Sequence, residues 1–255
     1  MTKAYKTVLK ARETHRLTCS EIIAVITDDF LECHGDRLHG DDPAVIGGIG
    51  VMGDIPVTII GTEKGHNLQE NMRVNFGSSG PDGYRKAQRL MQQANKFARP
   101  IITIINTPGA FCSPQAEEGG IGQAIATSLM QMSDLRVPVI AILTGEGGSG
   151  GALAFALANE VWAFEHAIYS ILSPEGFASI LWKDSKKASK AAEVMRLTSD
   201  TLYQDQIVDK IISEEGTPHQ ILKRLKAKVM KSLTFYQNMS EEAIILQRQE
   251  KFRNY

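Results

Sequence analysis

The chain has 255 residues, of which 43% are hydrophobic and 22% charged, a composition typical of a globular protein with a substantial core. Its 28 Lys and Arg residues are balanced by 29 Asp and Glu residues, and the net charge of -1 argues against a general nucleic-acid-binding surface. No apolar run is long enough to span a membrane, no leader-like segment opens the chain, and the 3 cysteines lack the spacing of a disulfide framework or zinc site. We therefore expect a cytoplasmic protein without a metal.

The first part of the chain predicts one helix and one hairpin. Apolar residues of 20–34 recur at helical spacing, and Ser20 is a residue type that caps helices. Residues 44–63 form two β-rich runs, which Gly53 and Asp54 interrupt in the manner of a hairpin turn.

From residue 83 onward, helical patterns alternate with short buried strands. The helical patterns are 83–98, 117–135 and 151–159, and the strand candidates are 100–106, 137–144, 161–164 and 167–172. This alternation predicts an α/β protein with a largely parallel sheet. After residue 183 the pattern becomes polar and helical, and the last helix, at about 240–252, is expected on the surface or in an interface.

Five glycines stand within residues 145–151, directly after a predicted strand. Glycine loses more backbone freedom on folding than any other residue, so this cluster indicates that the main chain approaches something closely. Amide groups at a helix N-terminus bind anions and oxyanions, and the turn at 106–110 ends the preceding strand in the same way. Because adjacent parallel strands end at the same sheet edge, the two turns predict an oxyanion site. Close helix–strand packing alone is the plainer alternative.

A dinucleotide site is a second interpretation of this run. Gly145, Gly147 and Gly150 satisfy the pattern GxGxxG after a strand, and Glu165 follows the first glycine at the spacing of a ribose-binding acid. A Walker A loop is excluded, because no Gly-Lys-[Ser/Thr] follows.

A hydrolase nucleophile is a third interpretation. Ser149 lies between Gly147 and Gly151 in the pattern GxSxG, with Asp209 and His219 downstream in the order of the α/β hydrolases. Ser149 would then attack an acyl carbon.

Long ungapped blocks decide among these interpretations. They are GDRLHGDDPAVIGGIG (35–50), NFGSSGPDGYRKAQRLMQQANKF (75–97), PIITIINTPGAF (100–111), GEGGSGGALA (145–154) and YSILSPEGFASILWKD (169–184). Through them the chain resembles the carboxyltransferase alpha subunit of bacterial multi-subunit acetyl-CoA carboxylase, from roughly residue 20 to 215. The resemblance implies a crotonase-like α/β fold, a spiral of ββα units with C-terminal helices. We expect one domain over 1–255, with an N-terminal helical segment (1–34), a core (35–183) and a helical C-terminal region (184–255).

The resemblance also implies the reaction and the partners. The carboxyl group of carboxybiotin, presented by a biotin carboxyl carrier protein, moves to acetyl-CoA and gives malonyl-CoA, the first committed step of fatty acid biosynthesis. Two oxyanions develop, one on biotin and one on the thioester enolate, and the alpha subunit is expected to bind the first. The implied partners are a zinc-ribbon beta subunit, in an assembly of two alpha and two beta subunits, and biotin carboxylase in the wider complex. No cofactor is expected on this chain itself, and no membrane or nucleic-acid partner.

The site residues follow from the resemblance. The biotin oxyanion is assigned to the backbone amides of Gly147 and Gly148 in the glycine run and of Gly109 and Ala110 in the preceding turn. Substrate contacts are expected from a wider set that flanks these turns: Gly145, Ser149, Gly150, Arg85 and Lys86.

The chain departs from the family at the first turn. Asn106 stands where the family usually has Asp, and the residues FCSP (111–114) follow Ala110, so side-chain roles in that loop are open. Another crotonase-like carboxyltransferase or decarboxylase acting on a different acyl-CoA remains an alternative, as does a scaffold subunit without catalytic function.

Overall fold

The computed structural model describes residues 1–254; Tyr255, the last residue of the expected domain, lies outside them. The strands are β1 (Asp29–Glu32), β2 (Val45–Met52), β3 (Ile55–Thr62), β4 (Ile101–Thr107), β5 (Val139–Gly148), β6 (Glu160–Phe164), β7 (Ile168–Ser170) and β8 (Lys210–Ile212). The helices are α1 (Lys3–Ala11), α2 (Cys19–Ile26), α3 (Leu68–Arg73), α4 (Pro81–Lys96), α5 (Pro114–Glu118), α6 (Ile121–Asp134), α7 (Ser149–Ala156), α8 (Pro174–Trp182), α9 (Ala188–Val194), α10 (Ser199–Gln204), α11 (Pro218–Tyr236) and α12 (Glu241–Arg253). Among the described residues, no helix is both long and apolar enough to cross a membrane.

The strands form one mixed sheet in the order β1-β2-β3-β4-β5-β6-β8, and β7 pairs with the carboxyl end of β5. β1, β2 and β3 are antiparallel, whereas every pairing from β3 onward is parallel. All residues of β4 are buried, as expected for a parallel strand that is covered on both faces. The predicted α/β class and the hairpin over 44–63 are confirmed.

Helices cover both faces of this sheet. A Cβ on Gly47 of β2 would meet Leu90 of α4, whereas a Cβ on Gly61 of β3 would meet Cys19 of α2. Gly47 pairs with Ile60, the neighbour of Gly61, and successive residues of a strand point to opposite faces. α4 and α2 therefore lie on opposite sides, and the carboxyl ends of the parallel strands are left at one edge between them.

Two predicted helices are shorter in the structure: one ends where a strand begins, and the other is interrupted by a glycine. The helix expected over 20–34 is wrong beyond Ile26, because the chain leaves it at Thr27 and pairs as β1 with β2. That helix begins one residue earlier than Ser20, since the side chain of Thr18 provides the cap. The helix expected over 117–135 is interrupted at Gly120, whose φ of 80° is left-handed, so it becomes α5 and α6. The region after residue 183 also contains a strand, β8.

The last helix is tied to the core by a buried arginine. Arg248 of α12 is fully buried, and its guanidinium donates to the carbonyl oxygens of Met132, Leu135 and Val137 at 2.8 Å and to Asn159 Oδ1 at 2.6 Å. Burial lowers the pKa of Arg248 to about 10, so the side chain is still charged at neutral pH. α12 is thereby fixed against the segment that leads into β5.

We expect Arg248→Lys to lower the free energy of unfolding by about 2–4 kcal/mol, because hydrogen bonds to charged groups contribute about 1.5–3 kcal/mol each and one ammonium cannot reach all four acceptors. Arg253→Lys, at an exposed position of the same helix, is the matched control. Urea unfolding followed by circular dichroism measures both variants. Equal midpoints would show that the apolar contacts of α12 hold it in place without the arginine.

Candidate active site

The two glycine-containing turns meet at the carboxyl edge of the sheet. β4 and β5 are adjacent and parallel, with Thr107 paired to Gly147, and each strand ends in one of the turns. A Cβ on Gly148 would overlap the carbonyl of Pro108 and lie 2.8 Å from the nitrogen of Gly109. The main chains of the two turns are therefore in direct contact, which confirms that both lie at one edge.

Four backbone amides are available where the turns meet. Helix α7 begins at Ser149 directly after β5, its N-cap residue Gly148 supplies no side-chain bond, and the first-turn amides of a helix have no partner within the helix. A Cβ on Gly151 would overlap the nitrogen of Ala110, so the Ala110 amide lies beside this turn. Within residues 1–254, no protein acceptor receives the Ala110 N–H. We call the N–H groups of Ala110, Ser149, Gly150 and Gly151 the amide site.

The four residues predicted to bind the oxyanion differ in whether their backbone amides are open. Gly147 is buried in β5 between Thr107 of β4 and Tyr169 of β7, so its backbone belongs to the sheet. Gly148 pairs with Ser170 and packs against Pro108 in the turn at 106–110. The N–H of Gly109 donates to Thr107 Oγ1 at 3.1 Å. Of the four predicted amides, only that of Ala110 is open, because β5 extends to Gly148 instead of ending at residue 144.

The glycine-run residues predicted to contact substrate also separate into two groups. Ser149 and Gly150 lie half-buried in the first turn of α7, and Ser149 adopts a φ of 48°, which produces the sharp turn from strand to helix. Gly145 lies within β5, where a Cβ would collide with the side chain of Asn106. Gly145 is therefore required for packing between β4 and β5 and does not reach the amide site.

Arg85 and Lys86 of α4, which were expected to contact substrate, are both bound within the protein. Arg85 Nε donates to Asp36 at 2.8 Å and its guanidinium to the carbonyl of Gly119 at 2.9 Å, beside a pocket of about 730 Å³. The ammonium of Lys86 is buried, 2.7 Å from both the Val45 carbonyl and Asp41. Lys86 is not accessible to an anionic substrate, and our expectation for it is corrected on that ground.

The loop that departs from the family keeps its structure by local bonds. Asn106 Oδ1 accepts the N–H of Glu146 at 3.0 Å, a bond that an Asp carboxylate accepts equally well. Ser113 caps α5 by accepting the N–H of Ala116 at 3.1 Å, and Pro114 occupies the first helical position, where proline is favoured. Of the residues FCSP, Ser113 therefore caps the short helix α5 and Pro114 begins it, while Phe111 and Cys112 precede it.

The hydrolase interpretation does not match the placement of its residues. Ser149 follows the carboxyl end of β5, whereas Asp209 precedes β8, which runs parallel to β6 and, through it, to β5. The two residues lie at opposite edges of the sheet. His219 is exposed in the first turn of α11.

The dinucleotide interpretation fails for a related reason. Gly145 and Gly147 lie inside β5, where a dinucleotide fingerprint needs a turn after the strand. Glu165 accepts the N–H of Glu214 at 3.1 Å.

Glu146 is the residue of this edge that sequence reasoning missed. Its carboxylate receives Arg12 Nε at 2.8 Å and Lys64 Nζ at 2.8 Å, and Arg12 also contacts Glu175 in the first turn of α8 at 3.0 Å. We call Arg12, Lys64, Glu146 and Glu175 the charge cluster. Its first three members line a pocket of about 490 Å³ that Pro108 of the first turn also borders. A carboxylate inside a glycine run was the available signal.

The charge cluster keeps Glu146 ionised. Burial by itself raises the pKa of a carboxyl group, but the charges of Lys64 and Arg12 and the hydrogen bonds from them outweigh burial, so the pKa of Glu146 lies below its usual value. In the described chain, no group of three or more His, Cys, Asp or Glu side chains is arranged to hold a metal ion. The Ala110 amide and the first-turn amides of α7 are open at this edge, and backbone amides bind negative charge on oxygen.

Comparison with known proteins agrees with these features. The family model described as acetyl co-enzyme A carboxylase carboxyltransferase-like matches residues 1–255. The chain is 54% identical to the acetyl-coenzyme A carboxylase carboxyl transferase subunit alpha of Streptococcus gordonii and 50% identical to that of Streptococcus equi subsp. zooepidemicus. Each alignment spans 256 residues and 100% of both chains.

Solved structures with low sequence identity share the fold. A transcarboxylase 12S crystal structure superposes with a TM-score of 0.74 at 19% identity, covering 91% of this chain and 44% of that one, so the chain spans less than half of the transcarboxylase. A Pseudomonas malonate decarboxylase hetero-tetramer in complex with coenzyme A gives a TM-score of 0.69 at 17% identity, covering 82% of this chain and 86% of that one. These likenesses confirm the predicted crotonase-like α/β fold.

Proposed function

The chain belongs to the acetyl co-enzyme A carboxylase carboxyltransferase-like family, and from this membership we propose that its amide site binds the oxyanion that develops on biotin during carboxyl transfer. The chain is a carboxyl transferase subunit of the alpha type, and fatty acid biosynthesis follows from the family.

One observation carries this proposal: the Ala110 amide lies beside the first turn of α7, where two main chains touch. Amides from two different turns can converge on one oxygen, which is the arrangement of an oxyanion hole. They are fixed by the sheet and the helix, so they need little reorganisation when charge develops. The positive end of the α7 dipole adds to the attraction.

The chemistry explains why backbone donors suffice. Carboxybiotin supplies the carboxyl group as CO₂, and the negative charge left on its ureido ring can remove the proton from the thioester methyl group. The chain then has to hold the ureido oxygen, orient the ring and exclude water, and no acid–base side chain is required. The same amides would hold the oxygen in the reverse direction, when the carboxyl group of malonyl-CoA returns to biotin.

The partners follow from the charge that develops on the second substrate. The thioester enolate carries a second oxyanion, and the amide site provides donors for one. We propose that a beta subunit supplies the second set of donors and most of the CoA contacts, and that a biotin carboxyl carrier protein delivers carboxybiotin to the open edge. The Streptococcus relatives are named as alpha subunits, which supports a beta partner.

We expect the purified chain alone to be inactive and to gain activity when it is co-purified with a beta subunit. The assay is decarboxylation of malonyl-CoA in the presence of free biotin, and size-exclusion chromatography reports the assembly. The beta subunit alone is the control. Full turnover by the isolated chain would contradict the division of the two oxyanions between subunits. An active complex that transfers no carboxyl group to biotin would contradict the proposed function.

A second prediction concerns Ser149, the residue of the hydrolase interpretation. We expect Ser149→Ala to keep kcat within about threefold of wild type, because the substitution leaves all four backbone amides in place, whereas loss of a true nucleophile costs about 10⁴–10⁶ in rate. The same malonyl-CoA assay measures it. A loss of several orders of magnitude in a complex that still assembles would revive covalent catalysis at this serine.

A further inference from the structure

We propose that Glu146 is a positioning residue for carboxyl transfer, whose carboxylate anchors the end of β5, and with it the first turn of α7, to α1 and to the segment after β3. This inference rests on the proposed function, because the turn that Glu146 holds carries three of the four amides of the amide site. Glu146 would act through these amides and would not contact either substrate.

The need for an anchor arises from an irregularity in the sheet. Ile105 of β4 pairs with Leu143 of β5, but the next pair is Thr107 with Gly147. One residue of β4 therefore lies opposite three residues of β5, and the segment 144–146 bulges out of the regular ladder. The pairing of β5 with β6 also ends at Leu143. Pairing with β7 begins only at Glu146, opposite Ile168. Thr144 and Gly145 therefore have no strand partner on either side, and Glu146 is paired on the β7 side alone.

Side chains replace the missing ladder bonds along this bulge. The N–H of Glu146 donates to Asn106 Oδ1 at 3.0 Å, and the carbonyl of Thr144 accepts Arg16 Nε at 2.8 Å. The carboxylate of Glu146 receives one cation on each oxygen, from Arg12 and Lys64. The bulge is therefore held from the segment after α1, from the segment after β3 and from β4, and Gly148 follows only two residues later.

Arg12 extends the same connection to α8. Its Nε binds Glu146, while its two terminal nitrogens lie 3.0 and 3.2 Å from the two carboxylate oxygens of Glu175. The hydroxyl of Tyr5 in α1 donates to Glu175 as well, at 3.1 Å. The bridge between Glu146 and Glu175 needs the three nitrogen atoms of a planar guanidinium group. A lysine ammonium concentrates its charge at one atom and cannot make it. α1 is thereby joined to both β5 and α8.

The charge cluster is better suited to fixing a geometry than to adding stability. Its two cations and two anions balance, and the Glu146 side chain is only 12% exposed. Removing such charges from water costs about as much as their attraction returns, so apolar replacements are often equally stable. Apolar contacts are not directional, whereas bonds to both oxygens of one carboxylate define its position and orientation.

The test compares three variants in the complex with the beta subunit. Glu146→Gln removes the charge at nearly constant shape, and Arg12→Lys keeps the charge but cannot bridge Glu146 and Glu175. Glu146→Gln combined with Lys64→Met removes one cation together with the anion, so that the charge is balanced again. Glu241→Gln, at a side chain 58% exposed and 3.7 Å from Arg136, is the control for the chemical change.

We expect Glu146→Gln and Arg12→Lys each to lower kcat by about 10–100-fold, because a displacement of about 1 Å at a reacting group costs about 10²-fold. KM for malonyl-CoA should stay within about twofold, since CoA binds mainly on the partner. The double variant should have a higher unfolding temperature than Glu146→Gln alone, close to that of the wild type, while its kcat stays as low as that of Glu146→Gln. Recovery of both would overturn the proposal and leave charge balance as the only role.

The outcomes separate this inference from the proposed function. If the wild-type complex transfers no carboxyl group to biotin, the proposed function is wrong. If the wild type is active and Glu146→Gln keeps its kcat, the function stands and the positioning role is wrong. Should Glu146→Gln fail to assemble, Arg12→Lys decides the question, because it keeps every charge of the cluster and changes only the bridge.

Discussion

Gly148→Val should abolish carboxyl transfer while the chain still assembles with its partner. A Cβ at Gly148 would overlap the Pro108 carbonyl and lie 2.8 Å from the Gly109 nitrogen, and both obstacles are backbone atoms. The turn at 106–110 would have to move away from α7. This movement would separate the Ala110 amide from the three amides in the first turn of α7. Loss of one oxyanion donor typically costs about 10²–10³ in rate, and the movement of a whole turn should cost at least that much.

The variant also tests why glycine is needed at this position. The φ of Gly148 is -96°, an ordinary value for any residue, so strain is not the cause and the contact between the turns is. Overpacking typically costs about 1–3 kcal/mol, which for a chain of this size corresponds to a melting temperature about 2–12 °C lower. Kinetics well below that temperature, with assembly checked by size, separate catalysis from stability. A kcat near wild type in an intact complex would show that the contact serves packing only.

The meeting of the two turns was predictable because strand ends are visible in a single chain. Buried runs at 100–106 and 137–144 are continuous and apolar, and each is followed by a glycine-containing turn. Adjacent parallel strands then dictate that both turns lie at one edge. The hairpin at Gly53 and Asp54 was predictable for a similar reason, since turn residues separate two β-rich runs.

The choice of amides was not predictable, because it depends on where β5 ends. Glycine has low strand propensity, so the sequence favours a strand that stops before Gly145, yet β5 continues to Gly148. Pairing with β7 holds Gly147 and Gly148 in the sheet. This tertiary contact moves the open amides to the first turn of α7, and of the four predicted amides only that of Ala110 stays without a protein acceptor.

β1 and Glu146 were missed for different physical reasons. β1 is a short, mostly exposed edge strand, and its four residues lack the alternation that marks a half-buried strand. The role of Glu146 depends on Arg12 and Lys64, which are distant in sequence. No spacing rule connects such residues, so a carboxylate in a glycine run was a visible anomaly without an assignable partner.

The contact between Gly151 and Ala110 leads to the second large expected effect. Gly151→Ala should lower kcat by about 10²–10³, the range for removal of one oxyanion donor. The new methyl group would overlap the Ala110 nitrogen and lie 2.8 Å from the Gly109 carbonyl carbon and 2.9 Å from Tyr84 Oη. Alanine is itself favoured in helices, so α7 should still form. The strain should instead displace the turn at 106–110 and, with it, the Ala110 amide.

A matched substitution separates this displacement from a general effect of replacing a helical glycine. A methyl group on Gly122, in the first turn of α6, would meet no atom within 4 Å outside its own stretch of helix, so Gly122→Ala should leave kcat unchanged. Both variants are assayed with malonyl-CoA and saturating free biotin. Because the enolate is expected on the beta subunit, KM for malonyl-CoA should change far less than kcat in Gly151→Ala. If KM rises in proportion while kcat is unchanged, the Ala110 turn contacts the acyl-CoA, and the assignment of the amide site to biotin is wrong.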